Sequence, residues 1–257
     1  MDWQRALEVA VAACHRAGSL HLQLRDQGLD IGSKSTFADL VTRADRESEL
    51  AIRQVIAAAF PDHAVVGEEG GQLGDSRYRW IVDPLDGTVN YAHGFPFSCV
   101  SVALEVEGQT RVGAVFDPNR QELFSAIRGQ GARCNGHPIR VSACPDLETP
   151  ALLATGFPYD PAEGAHNLEL FSRFLRLGLP VRRPGAAALD LCYLAAGRLD
   201  GFWEFKLNPW DVAAGILIIQ EAGGQVTDLS GETYRYGGPL LASNGRIHRQ
   251  MRAILSP

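Results

Sequence analysis

The sequence predicts a mixed α+β protein built from layered helices and sheets. Three observations point there. Two amphipathic helical stripes open the chain, short apolar runs separated by turn residues fill roughly positions 64–127, and beyond Thr149-Pro150 short strand-like runs alternate with helical patterns to the end.

From Trp3 to Leu24 the positions Trp3, Leu7, Ala10, Cys14, Ala17 and Leu24 recur at steps of three, four or seven, the stripe of a first helix. A second stripe runs from about Asp45 to Phe60 and is stopped by Pro61-Asp62-His63. Ala64-Val65-Val66, Trp80-Ile81-Val82, Cys99 to Leu104 and Val112 to Phe116 read as strands, with Glu122 to Ile127 returning after an Asp117-Pro118-Asn119-Arg120 turn. The second half then reads as a strand (Ala151 to Thr155), two helices (Asn167 to Leu177, Ala188 to Ala196) and a strand (Gly201 to Glu204). It closes with a helix from about Asp211 to Ala222, strands at Gly224 to Asp228 and Leu240 to Ser243, and a helix near Ile247 to Leu255. The change of pattern places a boundary near residue 150. With no Pro/Ser-rich linker, halves 1–150 and 151–257 are expected to pack as one compact unit.

At 257 residues the chain buries a sizeable core without disulfides, and its five scattered cysteines show neither a C-x-x-C pair nor zinc-like spacing. That argues for a reducing, cytoplasmic setting, as does an N-terminus lacking a basic segment before an apolar run. The apolar runs fall short of the roughly 20 residues that span a bilayer, so no membrane segment is expected. Lys+Arg 24 against Asp+Glu 30 gives a formal charge of −6, which argues against a surface built mainly for nucleic-acid phosphates.

The most informative stretch is W-I-V-D-P-L-D-G-T-V-N-Y, residues 80–91. An apolar strand delivers Asp83, a proline turn follows, and Asp86 comes three residues later. Both carboxylates and the Leu85 carbonyl suit a hard cation such as Mg2+, which prefers all-oxygen ligands. Gly87 leaves room for a phosphate to approach the backbone, and Thr88 offers a hydroxyl beside it. Taken alone, the same residues make an ordinary Asx turn. Glu68 in G-E-E-G is equally a solvated acid after a strand, Asp211 in N-P-W-D equally a helix N-cap, and Asp45 equally a capping residue of the second helix. His93 reads as a loop or core histidine.

In combination and in this order, K-S-T-F-A-D-L-V-T-R-A-D, G-E-E-G, W-I-V-D-P-L-D-G-T-V-N-Y and N-P-W-D-V-A-A-G closely resemble the inositol monophosphatase family. The likeness extends through residues 129–141 and 185–204 to essentially the whole chain. It implies the α-β-α-β-α sandwich shared with fructose-1,6-bisphosphatases. It also implies a Mg2+-dependent phosphatase in which Glu68, Asp83, the Leu85 carbonyl, Asp86 and Asp211 hold two or three Mg2+ ions. Substrate phosphate would rest on Gly87 and Thr88, and polyol hydroxyls would meet Gly185, Ala186, Ala187, Glu204 and Asp211. Lys34 would lie in a loop that closes over phosphate. Carboxylates gathered in one cleft would repel unless divalent cations resolved the conflict, and such ions also activate water for in-line attack. Glu68, with Thr88 and Asp45 as a hydrogen-bonded pair, is expected to orient or deprotonate that water.

Glu204, seven residues before Asp211, favours inositol 1-phosphate as substrate by the same resemblance. Fructose 1,6-bisphosphate, histidinol phosphate and 3′-phosphoadenosine 5′-phosphate are the rival substrates. A homodimer and lithium inhibition are further implications. A reading of another class is an RNA- or transcription-associated regulator, for which Arg173, Arg176, Arg182 and Arg183 are candidate contacts and a solvated arginine face the plainer explanation.

Overall fold

A computed structural model describes residues 1–25, 31–33, 40–158 and 161–256. The chain opens with α1 (Trp3–Arg25), β1 (Ile31–Ser33), β2 (Leu40–Thr42) and α2 (Arg43–Ala59), where β1 and β2 pair antiparallel on their own. There follow β3 (Ala64–Gly67), β4 (Gly71–Leu73), β5 (Tyr78–Asp86), the short helix α3 (Thr88–Ala92), β6 (Cys99–Val106), β7 (Gln109–Asp117), β8 (Glu122–Ile127), β9 (Ala132–Cys134) and β10 (His137–Pro138). These eight strands form one sheet in the order β10-β9-β8-β7-β6-β5-β3-β4.

The rest comprises β11 (Leu153–Thr155), α4 (Pro161–Arg176), β12 (Val181–Arg182), α5 (Ala187–Ala195), β13 (Gly201–Glu204), α6 (Pro209–Glu221), β14 (Gln225–Thr227), β15 (Leu240–Ser243) and α7 (His248–Leu255). Its five strands form a second sheet in the order β12-β11-β13-β15-β14.

Strand alternation assigns the faces, because successive side chains point to opposite sides of a sheet. On β5, Trp80 and Val82 join the core with α1 and α2, while Ile81 faces the other way, into the core shared with α5 and α6. On β13, Phe202 enters that central core, whereas Trp203 meets Phe174 of α4 and Met251 of α7. The resulting layers are α1/α2, the large sheet, α5/α6, the small sheet and α4/α7. This is the α-β-α-β-α arrangement expected.

α6 lies between two sheets and accordingly has no polar face: Val212, Ala213, Ala214, Leu217, Ile218 and Ile219 are all buried. It sits so close to β7 that a Cβ on Gly113 would come within 3.0 Å of Ala214 Cα. That approach fixes where the first turn of α6, bearing Asp211, projects.

Several elements differ from the sequence expectation. β5 does not stop at Val82 but continues to Asp86 through a register shift opposite Ser101–Cys99. Pro84 has no N–H to give the ladder, and such a break bends the strand. Thr88–Ala92, left unassigned by the sequence, is helical. α4 starts at Pro161 and α6 at Pro209, both earlier than expected, since proline is well suited to a first helical position.

Candidate active site

The predicted acids come from separate elements. Glu68 follows the end of β3, Asp83 and Asp86 sit at the end of β5, Asp45 in the first turn of α2, and Asp211 in the first turn of α6. Lys34 lies outside the described residues.

Asp83 is 2% exposed, and its Oδ1 accepts the Leu85 N–H at 2.9 Å. The Asx turn therefore exists, and it orients a carboxyl that also faces other charges. Burial first, then the charges of Glu68, Asp86 and Asp211, hold Asp83 well above the usual carboxylate range. Asp211 is pushed up by burial, then by Asp86 and Glu68. Asp86 is raised to about 6 by burial, opposed by the Ala188 N–H at the start of α5, which its Oδ2 accepts at 2.7 Å. Four acids thus converge electrostatically from three regions of the chain.

Asp45 caps the second helix and also reaches Thr88. Its Oδ2 accepts from Thr42 N and Thr42 Oγ1, each at 2.7 Å, closing a capping box on α2. Its Oδ1 lies 2.9 Å from Thr88 Oγ1, which is also 2.9 Å from the Leu85 carbonyl and can give its single proton to one of them at a time. Asp211 is likewise not the N-cap but the third residue of a capping box: Asn208 is the cap, and its N–H donates to Asp211 Oδ2 at 2.7 Å. In both cases a cap holds the carboxylate by one oxygen.

Gly87 caps α3 with φ 86°, and a Cβ there would lie 2.9 Å from the Phe97 carbonyl and 3.2 Å from Ala186. The Gly185-Ala186-Ala187 segment therefore packs directly on the D-P-L-D-G-T turn. Asn90 pins it, donating from Nδ2 to the carbonyls of Phe97 and Pro184, both at 2.8 Å. Beside the segment opens a pocket of about 120 Å³ lined by Asp86, Gly185, Asp190, Glu204 and Asp211, with Arg183 at its wall. Burial, then the charge of Asp86, raises Glu204 to about 8 against the opposing pull of Arg183.

Sequence reasoning missed three groups. Asp190, 1% exposed and raised well above its ordinary range by burial, was signalled by a lone acid in the apolar run A-A-L-D-L-C-Y-L-A. Asn90 gave no signal, because its partners lie up to 94 residues away. Arg183, read as a possible surface contact, is exposed and also borders the pocket. Arg173 is also engaged: it bonds the Ile254 and Ser256 carbonyls and pairs with Glu169.

The donor set fits a hard divalent cation chemically, being all oxygen and held at a cost that only positive charge relieves. Among the described residues, however, no group of three or more His, Cys, Asp or Glu side chains is arranged to hold a metal ion as it stands. The acids face one another without closing on a single point.

The sequence model of the inositol monophosphatase family matches residues 2–256. The chain belongs to the inositol monophosphatase family. It is 44% identical over 265 residues to an inositol-1-monophosphatase of Synechocystis sp., covering 99% of this chain and 90% of that protein. It is 40% identical over 252 residues to the Nus factor SuhB of Escherichia coli K12, covering 96% and 94%. The structure superposes on the extragenic suppressor protein suhB of Bartonella henselae with a TM-score of 0.92, at 40% identity and 98% coverage of each chain. An IMPase/NADP phosphatase complexed with NADP and Ca2+ matches with a TM-score of 0.87 at 26% identity, over 99% of this chain and 96% of that one. As a member of this family the protein is a phosphoric monoester hydrolase, and the family and its metal-bound neighbour imply a divalent cation. Among the described residues no helix is long and apolar enough to cross a membrane.

Proposed function

We propose that this phosphatase is Mg2+-dependent and hydrolyses a compact polyol monophosphate, inositol 1-phosphate before its rivals. The observation that carries the reading is the elevation of Asp83 and Asp211 by burial and then by the charges of Glu68 and Asp86, beside a small pocket walled by Glu204. Acids that raise one another's pKa in a buried cleft call for cations, and a pocket of about 120 Å³ suits a small leaving group better than a nucleoside. Half 1–150 would carry most metal ligands and half 151–257 complete the pocket, packed as one unit.

Glu68, Asp83, the Leu85 carbonyl, Asp86 and Asp211 would hold two or three Mg2+ ions, which supply charge for the phosphoryl oxygens and lower the pKa of water. Thr88, its own proton donated to Asp45, offers a lone pair to a water O–H, and Glu68 orients the same water. The water oxygen attacks phosphorus in line as one of its protons passes to Glu68 or the Thr88–Asp45 pair, the ester P–O bond breaks with its electron pair on the alcohol oxygen, and that oxygen takes a proton from solvent as alcohol and hydrogen phosphate separate. Gly87 and Thr88 seat the phosphate, while Gly185, Ala186, Ala187, Glu204 and Asp211 meet polyol hydroxyls. Lys34 belongs to this proposal only by resemblance. No phosphoenzyme is needed: burial pushes the Cys99 thiol far up and its proton bonds Asp86, which supports an attack by water.

Phosphate release with Mg2+ from inositol 1-phosphate, fructose 1,6-bisphosphate, histidinol phosphate and 3′-phosphoadenosine 5′-phosphate tests the reading. Preference for the first supports it, and preference for the nucleotide overturns the compact-pocket argument. The relatives named Nus factor SuhB favour a second reading, association with transcription machinery, which RNA or polymerase pull-down tests directly. The free cysteines suit a reducing, cytoplasmic location. Sedimentation and lithium titration test the homodimer and the inhibition that the family suggests.

A further inference from the structure

Glu49 belongs to no motif that carried the family resemblance, yet it is 3% exposed and its carboxylate is fully engaged. Its Oε2 accepts the Glu69 N–H at 2.7 Å and its Oε1 the Gly70 N–H at 2.8 Å, two consecutive donors of the turn after β3. Arg53, one helical turn on, donates Nε to Glu49 Oε1 at 2.8 Å and an Nη2 proton to the Gly71 carbonyl at 2.7 Å. The turn is thus held through its N–H groups by an acid and through a carbonyl by a base, both from α2.

The glycines of G-E-E-G make the clamp possible. A Cβ on Gly67 would lie 2.5 Å from the Glu49 carboxylate, and one on Gly70 would lie 2.6 Å from Oε1. β3 and β4 pair antiparallel across this turn, and β4 beyond it is an edge strand exposed along its length. α2 is itself fixed to the site, because Asp45, four residues before Glu49, bonds Thr88. Residues four apart share a helix face. One face of α2 therefore hooks the Thr88 turn with Asp45 and the Glu68 turn with Glu49.

We propose that Glu49 is a positioning residue for metal binding: by clamping the Glu69 and Gly70 amides it sets how far Glu68 reaches toward Asp83 and Asp211. The inference rests on the reading of Glu68 as a metal ligand. Outer partners that orient metal ligands typically carry about 10- to 100-fold in metal affinity. A charged bidentate acceptor is also the strongest available anchor for two adjacent N–H groups.

The test is calorimetric titration of Mg2+ into the chelator-treated full chain, with thermal unfolding and substrate KM measured alongside. Glu49→Gln keeps the size but leaves one acceptor oxygen for the Glu69, Gly70 and Arg53 donors, and about tenfold weaker Mg2+ binding is expected, with KM at saturating Mg2+ unchanged. Gly70→Ala pushes the carboxylate off the turn without removing any polar group, and the same loss is expected; it decides the matter if Glu49→Gln does not fold. Glu68→Gln separates the two layers of the argument. If it weakens Mg2+ binding while both clamp variants bind as wild type, even with a lowered unfolding temperature, the positioning role is overturned and the site stands. If Glu68→Gln binds Mg2+ as wild type, the ligand assignment beneath the proposal fails.

Discussion

Removing divalent cations is expected to make the stability of this protein fall as pH rises through neutrality, a dependence that Glu204 controls. Its carboxyl is raised from 4.5 to about 8, by burial and then by the charge of Asp86. Between these two values the folded state holds a proton that the unfolded chain has lost. Stability therefore declines by up to about 1.4 kcal/mol per pH unit as pH rises, and levels off above about 8. Asp83 and Asp211, raised in the same direction, add to the decline. Two buried histidines act oppositely: His21 and His248 are lowered to about 4, so they cost stability as pH falls, but only below the ordinary histidine value of 6.5. The interval from pH 6.5 to 8 lies above the histidines' range, and the buried thiols, also raised, act there in the same direction as the carboxylates. Glu204 lines a pocket and is partly screened, so about 1–2 kcal/mol is expected across that interval. For a chain of this length that corresponds to roughly 2–8 °C in Tm.

The assay is thermal unfolding of chelator-treated protein at pH 6.5, 7.2 and 8, repeated with Glu204→Gln and with saturating Mg2+. The variant should flatten the slope, because it removes the titrating group. Mg2+ should flatten it further and raise Tm most at pH 8, since the cation competes with protons for the same acids. A metal-free wild type whose Tm stays level or climbs from pH 6.5 to 8, or a Glu204→Gln protein with an undiminished slope, would refute the reasoning.

Other substitutions have definite outcomes. Asp86→Asn or Asp211→Asn should lower turnover at least about a hundredfold through lost metal geometry, and near-normal phosphate release in either would remove that residue from the site. Thr88→Ala should cut turnover and cost about 1–3 kcal/mol by leaving Asp45 and the Leu85 carbonyl short of a donor, whereas Thr88→Ser should retain both; equal behaviour of the two would show the hydroxyl to be idle. Asn167, fully buried, receives the Trp203 Nε1–H at 2.6 Å and donates to Thr155 Oγ1 at 3.0 Å; Asn167→Ala should destabilise by about 2–4 kcal/mol in urea unfolding, and a loss under 1 kcal/mol, within the range of one ordinary hydrogen bond, would show the network relaxes.

Periodicity by itself determined the long helix Trp3–Arg25, five strands of the large sheet (β3, β5, β6, β7 and β8) and the alternation that follows residue 150, because helix and strand repeats are local properties of the chain. The D-P-L-D-G-T and W-D signatures were legible for the same reason: each presents its acids within one short turn. What the sequence left open was whether each acid caps a turn or serves a site, and tertiary structure shows that a capping carboxylate keeps an oxygen for a second partner. A carboxylate has two oxygens, so Asp45 closes its capping box with one and meets Thr88 with the other. The Glu49 clamp, the Asn90 pin and the pocket position of Arg183 and Asp190 belonged to tertiary structure alone. The turn amide that Glu49 accepts from and the Pro184 carbonyl that Asn90 reaches lie 20 and 94 residues away, and only packing α2, α3 and α5 around the end of β5 brings such groups within hydrogen-bonding or pocket-lining reach.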